Sequence, residues 1–291
     1  MKTVGLFNPS SPSSKPVDLP CIEGWFKAHG FRVVLAPHAL DKERFLAGKD
    51  ADRAQDFNNF VKDPYIDMLV ALKGGYGSPR LLDQIDYEAA KQNKKPLMGF
   101  SDTTGLQLAL WAKAGWSSFT GLSPARDITP AGLDALIEEG FVKRIKGEAL
   151  IYPLSVLYPG AAEGTVIGGT LALIETLIGT PYQPDFKDTI LFIEDVREEP
   201  YKVDRMLTHL RLAGVFDVIK GLIWGDFFEC LSADPNDGTI EEVLLDTSAQ
   251  IHRQHSIPIL MGLPYGHTVS RTVLPIGISG VLSAAEGTLR V

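Results

Sequence analysis

Apolar and polar positions follow two different periodicities along the first part of the chain. Residues 50–62 carry apolar side chains at helical spacing, and a nearly continuous apolar run follows at 66–72. The first pattern predicts an amphipathic helix, and the second predicts a strand that is buried on both faces. Strand patterns also occur at 4–7 and 31–35, each of them ahead of a predicted helix. This β-α alternation predicts a parallel, doubly wound sheet.

A weaker pattern separates this region from the second half of the chain. Between 126 and 163 prolines and glycines interrupt the periodicity, and we predict a connector there with one helix at 131–139. Strands and helices alternate again beyond it. We therefore expect an N-terminal domain at 1–125, a connector at 126–163 and a C-terminal domain at 164–291, with a cleft between the two domains.

The second half has its own distinctive segments. Gly168-Gly169 is predicted to open an apolar helix, and 189–193 is predicted to be a strand. The end of the chain, from Thr272 to Val291, has the pattern of a β-hairpin. The C-terminal domain is thus expected to differ in architecture from the N-terminal one.

Composition and charge exclude several classes of function. The chain has 36 acidic against 28 basic residues, and its basic residues do not cluster with aromatic ones, which excludes a nucleic-acid partner. No apolar run approaches the roughly 20 residues that span a bilayer, so no membrane partner is expected. Cys21 and Cys230 fit neither a disulfide scaffold nor a zinc motif and are expected to be small buried side chains. A cytoplasmic protein without metal or other cofactor is the expectation.

The strand-to-helix turn at Ser101 carries the clearest chemical signal. An apolar segment ends at Gly99-Phe100-Ser101, and a helical pattern begins at once. A serine at such a turn projects its hydroxyl clear of the sheet, and free N–H groups at the helix start can stabilise an oxyanion. The G-x-S-x-G pattern is incomplete, because Thr103 stands where the second glycine is expected. Ser101 is therefore a candidate nucleophile, and a helix N-cap is the alternative interpretation.

A serine nucleophile needs a base and an acid that orients the base. Of the six histidines, His267 follows a predicted strand in a loop beyond the strand end, where the sites of open α/β sheets cluster. A loop histidine bonded to backbone is the alternative. Glu194 ends a fully apolar strand, where a buried acid needs a polar partner. Asp195 competes with it for the role of the orienting acid.

Three glycines come directly after the buried strand at 66–72. Gly74, Gly75 and Gly77 allow the backbone to approach a ligand closely and to present N–H groups to an anion. Their spacing fits neither the dinucleotide-binding nor the Walker pattern of phosphate-binding loops. The loop is thus interpreted as an oxyanion donor or as a simple tight turn.

Six short segments, in a fixed order, carry a further signal: Asn8-Pro9-Ser10, Gly74-Gly75-Tyr76-Gly77, Gly99-Phe100-Ser101-Asp102, Gly164 to Gly169, Ile193-Glu194-Asp195 and Pro264-Tyr265-Gly266-His267. Each is weak alone, but the ordered set is specific. It resembles the LD-carboxypeptidase family of serine peptidases, which also contains the microcin C self-immunity peptidases. The resemblance implies an α/β fold with an N-terminal Rossmann-like parallel-sheet domain, a smaller β-rich C-terminal domain and an active site in the cleft between them.

The resemblance also assigns roles to individual residues. Ser101 corresponds to the family nucleophile, Glu194 to the triad acid and His267 to the base. The backbone N–H groups of Gly75 and Asp102 correspond to the oxyanion hole. The implied activity is that of a serine carboxypeptidase acting on a small peptide or muropeptide, which releases the terminal D-alanine of murein tetrapeptide across an L,D bond in peptidoglycan recycling. A homodimer is the implied assembly.

The chain departs from the family pattern near the expected substrate cleft. Lys73 replaces a common arginine, Thr120-Gly121-Leu122 replaces His-Gly-Pro, and Thr170 replaces an asparagine. These departures leave the substrate open. One alternative is a microcin C-type peptidyl-nucleotide amide, although the peptidases that cleave it tend to be longer. The other is a non-catalytic two-domain binder of small molecules in which Ser101 only caps a helix.

Overall fold

A computed structural model that describes residues 1–234 and 236–291 consists of two β-sheets flanked by helices. Within these residues the strands are β1 (Lys2–Phe7), β2 (Phe31–Leu35), β3 (Met68–Ala71), β4 (Leu97–Gly99), β5 (Ser118–Thr120), β6 (Ile151–Pro153), β7 (Ser155–Tyr158), β8 (Ala161–Thr170), β9 (Thr189–Val196), β10 (Gly221–Phe228), β11 (Ile259–Met261), β12 (Leu274–Ile276), β13 (Ile278–Ser283) and β14 (Thr288–Arg290). The α-helices are α1 (Leu19–Ala28), α2 (Asp50–Lys62), α3 (Tyr87–Gln92), α4 (Thr103–Ala114), α5 (Pro124–Asp127), α6 (Ala135–Lys146), α7 (Leu171–Leu177), α8 (Pro200–Leu212), α9 (Val215–Val218) and α10 (Ile240–His255), and a 3₁₀ helix spans Ser78–Gln84.

The first sheet has the strand order β12-β5-β4-β3-β1-β2, and its strands are parallel except for β12. β3 lies between β1 and β4, and all of its residues are buried, as the apolar run at 66–72 predicts. α2 begins and ends where the helical spacing places it, at Asp50 and Lys62. The predicted parallel sheet is confirmed.

The second sheet has the order β6-β14-β13-β8-β9-β10-β11-β7. Its centre, β8 to β11, is parallel, and the outer strands pair antiparallel. Gly168 and Gly169 lie within β8, which ends at Thr170, so the prediction that they open a helix is wrong by two to three residues. The backbone of β9 comes so close that a Cβ on Gly168 would lie 1.9 Å from the carbonyl oxygen of Phe192. Glycine therefore serves close strand packing here, and α7 begins at Leu171.

Two other predicted segments differ from the structure. The helix predicted at 131–139 lies at Ala135–Lys146, because the Asp134 side chain caps it by accepting the N–H of Leu136. The chain end does not form one hairpin: β12 pairs with β5 of the first sheet, and β13 and β14 form the hairpin in the second sheet. Because the second half thus supplies a strand to the first sheet, the boundaries at 125 and 163 stay a prediction.

The topology brings several strand ends to one region. The segments that follow β3 and β4 of the first sheet lie beside the end of β9 and the segment that follows β11 of the second sheet. α4, which follows β4, packs against the end of β8, where the Thr104 side chain contacts Gly169. The mixed α/β, two-domain fold expected from the sequence is confirmed, and the cleft lies where the carboxyl ends of parallel strands meet. In the part of the chain that the structure describes, no helix is long and apolar enough to cross a membrane.

Candidate active site

Ser101 lies at a sharp turn between β4 and α4. Its φ of 62° is in the left-handed region, which is strained for a residue with a side chain. The turn also requires glycine at position 99, because a Cβ there would lie 2.5 Å from Thr103 Cγ2. The turn closes with a hydrogen bond of 2.8 Å from the N–H of Thr104 to the carbonyl of Ser101. This is the geometry that lifts a serine hydroxyl out of a sheet.

Ser101, His267 and Glu194 form one hydrogen-bonded line. Ser101 Oγ lies 2.8 Å from Nε2 of His267, and Nδ1 of the same ring lies 2.8 Å from Oε2 of Glu194. Glu194 is fully buried, so the natural arrangement is an Nδ1–H that donates to the carboxylate and an Nε2 that accepts from the serine hydroxyl. The structure therefore brings together the three residues that the sequence places far apart.

The second hydrogen bond of the Glu194 carboxylate results from the register of two parallel strands. β8 and β9 pair so that Thr170 is the neighbour of Glu194, and the Thr170 hydroxyl donates a hydrogen bond of 2.6 Å to Oε1. Both carboxylate oxygens thus have partners, which a buried acid requires. The sequence marks Thr170 only as a departure from the family pattern, and its role becomes visible only through the register.

His267 is held from two further sides. The ring of Phe100 lies against its imidazole, with ring centroids 4.8 Å apart. Nη2 of Arg126 donates a hydrogen bond of 2.7 Å to the His267 carbonyl. Phe100 is fixed in turn by the Arg271 guanidinium, which stacks over it at 4.1 Å. Neither arginine stands out in the sequence, because both contacts join segments far apart along the chain.

The side chain of Asp102 ties the glycine loop to the turn at Ser101. Its carboxylate accepts the N–H groups of Gly77 and Ser78 at 3.1 and 2.7 Å and the hydroxyl of Ser10 at 2.5 Å. Burial raises the pKa of Asp102, and these hydrogen bonds act in the opposite direction. The sequence predicts a role only for the Asp102 backbone, so the contribution of its side chain is an addition from the structure.

The two predicted oxyanion donors lie on either side of Ser101. The glycine loop approaches the turn so closely that a Cβ on Gly74 would lie 2.9 Å from Ser101 Cβ. Gly75 has a φ of 118° and lines the same pocket as the serine. Within residues 1–234 and 236–291 the N–H groups of Gly75 and Asp102 donate no hydrogen bond, so both are free for a ligand. Their assignment as an oxyanion hole stays a prediction.

A pocket of about 270 Å³ opens beside the Ser101 hydroxyl. Its lining combines the serine and histidine with backbone of the glycine loop, two cationic side chains and a few apolar groups: Lys73, Gly74, Gly75, Phe100, Ser101, Ser123, Arg126, Val196 and His267. The volume is just below the range of about 300–1,000 Å³ that is common for drug-sized ligands. The pocket suits a short segment of a ligand beside the serine.

The other five histidines make contacts outside this pocket. Their partners are Trp25 and Glu138 for His29, Asp41 for His38, Glu175 for His209, Ile257 for His252 and Asp217 for His255. Among the described residues no group of three or more His, Cys, Asp or Glu side chains is arranged to hold a metal ion. The arrangement at Ser101 has the parts that acyl transfer through a serine requires: a nucleophile, a base and an orienting acid.

Comparison with known protein families gives a match in each half of the chain. The model of the LD-carboxypeptidase N-terminal domain matches residues 4–121, and the model of the LD-carboxypeptidase C-terminal domain matches residues 163–282. The two matches together span most of the chain.

Individual relatives cover nearly the whole chain. A probable murein peptide carboxypeptidase of Bacillus subtilis is 30% identical over 98% of this chain and 90% of its own. The microcin C7 self-immunity protein of Escherichia coli is 28% identical over 95% of this chain and 89% of its own. The crystal structure of muramoyltetrapeptide carboxypeptidase from Oxalobacter formigenes superposes with a TM-score of 0.87 at 29% identity, over 99% of this chain and 97% of its own. The chain belongs to the LD-carboxypeptidase family.

Proposed function

We propose that this protein is a serine carboxypeptidase in which Ser101, His267 and Glu194 act as the catalytic triad. The observation that carries the proposal is the continuous line of two 2.8 Å hydrogen bonds from the Ser101 hydroxyl through the imidazole to a buried carboxylate. A helix cap alone does not account for this line, because capping requires neither a histidine nor a buried acid. The pocket beside the serine supplies the space for a substrate.

In the acylation step, Ser101 Oγ attacks the carbonyl carbon of the scissile amide. His267 Nε2 takes the hydroxyl proton, and Glu194 stabilises the imidazolium that forms. The negative charge on the carbonyl oxygen is bound by the N–H groups of Gly75 and Asp102. When the C–N bond breaks, His267 returns the proton to the leaving amine, and the acyl group stays on Ser101.

Deacylation repeats these steps with water as the nucleophile. His267 takes a proton from the water as it attacks the ester carbonyl, and the same two N–H groups bind the oxyanion. The bond to Ser101 Oγ then breaks, and the imidazolium returns a proton to the serine. The free enzyme and a shortened peptide acid result, so no co-reactant besides water is needed.

The substrate we propose is murein tetrapeptide, which loses its terminal D-alanine in peptidoglycan recycling. Two similarities support this choice, the relative described as a probable murein peptide carboxypeptidase and the structure of a muramoyltetrapeptide carboxypeptidase. The free thiols of Cys21 and Cys230 agree with a cytoplasmic location for this step, since disulfides are rare there. The homodimer implied by the family resemblance is likewise kept as a prediction.

A second substrate class comes from the similarity to the microcin C7 self-immunity protein. For this chain it corresponds to the amide of a peptidyl or aminoacyl nucleotide. Such a substrate uses the same nucleophile and base, but its leaving group is a nucleotide derivative rather than an amino acid.

A panel of substrates tests the proposed function. Wild-type protein is incubated with murein tetrapeptide, with its diastereomer ending in L-alanine, and with an aminoacyl sulfamoyl nucleotide, and the released amine is quantified. We expect D-alanine from the first substrate and at least about tenfold slower release from the other two. Ser101→Ala protein, purified in the same way, controls for contaminating peptidases. Equal turnover by wild type and Ser101→Ala would contradict the mechanism, whereas turnover of only the nucleotide would change the substrate.

A further inference from the structure

Two cationic side chains, Lys73 and Arg126, line the pocket at Ser101. They come from different parts of the fold: Lys73 follows β3, and Arg126 lies in α5. Burial lowers the pKa of both side chains, and at Lys73 the charge of Asp102 raises the pKa whereas that of Arg126 lowers it. The two positive charges thus line one pocket, where a bound anion can interact with both.

The acids nearest to this pair lie outside the lining of the pocket. No carboxylate is among the pocket-lining side chains, and the nearby acids accept hydrogen bonds mainly from other groups, although Asp127 Oδ1 lies 3.9 Å from Arg126 Nε. Glu194 accepts from Thr170 and faces His267, Asp102 accepts from Ser10, Gly77 and Ser78, and Asp127 accepts from Arg271 and the N–H of Ser123. The pocket wall is thus positively charged where it meets the nucleophile.

Both cations also keep hydrogen-bonding capacity for a ligand. The Lys73 ammonium makes one long contact of 3.4 Å, to the carbonyl of Gly74. Arg126 uses Nη2 for the His267 carbonyl, and its Nε lies 3.9 Å from Asp127 Oδ1, beyond hydrogen-bond reach. Among the described residues, neither Nε nor Nη1 of Arg126 donates a hydrogen bond. A guanidinium with free donors beside an ammonium suits a carboxylate.

The position of this charge matches the chemistry of a carboxypeptidase. Its substrate carries a free carboxylate on the residue that leaves, only one residue beyond the scissile carbonyl. One residue spans at most about 3.3–3.6 Å, so the carboxylate must bind in the same pocket as the reacting carbon. An internal amide or an amidated chain end has no charge at that point.

We infer that Lys73 and Arg126 form the subsite that binds the terminal carboxylate of the leaving residue and thereby restrict cleavage to the chain end. This inference rests on the proposed function and adds the groups that recognise the substrate's end. Arg126 has a second role, since its bond to the His267 carbonyl couples an occupied subsite to the position of the base. Neither side chain takes part in proton transfer.

The test compares murein tetrapeptide with its C-terminal carboxamide, which differs only in the charge of the leaving residue. We expect wild type to prefer the free acid in kcat/KM by about ten- to hundredfold, the range for one or two hydrogen bonds to a charged group. Arg126→Gln and Lys73→Gln should each lower this ratio toward one, mostly through KM for the free acid. Arg197→Gln is the matched control, because it removes a nearby charge that is paired with Glu229 at 2.6 Å and does not line the pocket.

The ratio separates recognition from structural damage. If Arg126 only supports the loop of His267, its substitution slows both substrates equally and leaves the ratio unchanged, and this result overturns the subsite. Binding to Ser101→Ala protein, measured by calorimetry, gives a readout that does not depend on turnover. The subsite is supported if Ser101→Ala protein binds the acid more tightly than the amide and if this preference is lost in Ser101→Ala/Arg126→Gln. This holds even if wild type cleaves neither peptide. Equal binding of the two ligands, or binding of neither, overturns it.

Discussion

The hydroxyl of Thr170 donates a hydrogen bond of 2.6 Å to Oε1 of Glu194, across the neighbouring parallel strands β8 and β9. The other oxygen of the same carboxylate faces His267. Thr170 touches neither the serine nor the pocket, so it acts through the acid as a positioning residue. Its contact makes a buried carboxylate tolerable and fixes the direction in which that carboxylate points.

Thr170→Val is expected to lower both stability and turnover. The variant keeps the shape of the side chain but leaves Glu194 Oε1 buried without a donor, which costs about 1–3 kcal/mol. We expect kcat to fall about ten- to hundredfold with little change in KM, because the imidazole is held less well while the pocket is intact. Urea unfolding and steady-state kinetics check the two effects.

Two control variants accompany Thr170→Val. Thr170→Ser restores the hydroxyl and should recover most of the lost kcat. Thr189→Val removes the hydrogen bond from another buried threonine hydroxyl, which donates to the carbonyl of Phe186. This bond lies away from the triad. It should lower stability without lowering kcat. Equal effects of the two valine variants on kcat would show that Thr170 has only a structural role.

The backbone at Ser101 is expected to store strain. The φ of Ser101 is 62°, in the left-handed region. An alanine at this position has the same steric cost in that conformation, whereas a glycine adopts it without steric cost. We therefore expect Ser101→Gly to be more stable than Ser101→Ala by about 1 kcal/mol in urea unfolding, with neither variant active.

Ser256 provides the comparison for this strain. It has a φ of 53° at the end of α10, away from the pocket. Ser256→Gly and Ser256→Ala should show the same order of stability and full activity. If Ser101→Ala proves at least as stable as Ser101→Gly, while the Ser256 pair behaves as expected, the turn at Ser101 is not strained.

Asp195 is expected to make stability fall as the pH rises. It is 2% exposed, and burial, followed by the charge of Glu194, raises its pKa to about 7. In the unfolded chain its pKa is about 3.9, so between pH 4 and 7 the folded state holds a proton that the unfolded state has lost. The free energy of unfolding then decreases with pH, by up to about 1.4 kcal/mol per pH unit.

Asp195→Asn removes this titration. The free energy of unfolding of both proteins is measured in urea from pH 5 to pH 8. We expect the difference between the two values to change steadily with pH up to about 7 and then to level off. The stability of the variant relative to wild type should increase as the pH rises. Parallel curves for the two proteins would mean that Asp195 titrates in the folded protein as it does in the unfolded chain.

The sequence predicts well those features that depend on neighbouring residues. The helical spacing placed α2 correctly, and the buried run at 66–72 placed β3. The turn after Gly99 singled out Ser101, and the loop after β11 singled out His267, because strand ends in such sheets are recognisable locally. These local signals were enough to select the residues that the fold brings together.

Features that depend on register and on distant contacts were not predictable in this way. The role of Thr170 depends on the pairing of β8 with β9. The role of Ser10 depends on its hydrogen bond to Asp102, which lies 92 residues later in the chain. The glycines near the end of β8 are wrongly predicted to open a helix, because only distant groups explain them: the carbonyl of Phe192 for Gly168 and the Thr104 side chain for Gly169. Arg126 has no local signal at all, since its partner, the His267 carbonyl, lies 141 residues away.

The most direct test of the account is kcat/KM of Ser101→Ala, His267→Ala and the double variant, on whichever amide of the substrate panel wild type cleaves. Residues that act as one catalytic unit are strongly non-additive. We therefore predict that each single variant loses at least about 10⁴-fold and that the double variant loses no more than Ser101→Ala alone. Ser256→Ala should retain full activity. A Ser101→Ala variant within tenfold of wild type, or losses that multiply in the double variant, would contradict the claim that Ser101 is a nucleophile activated by His267.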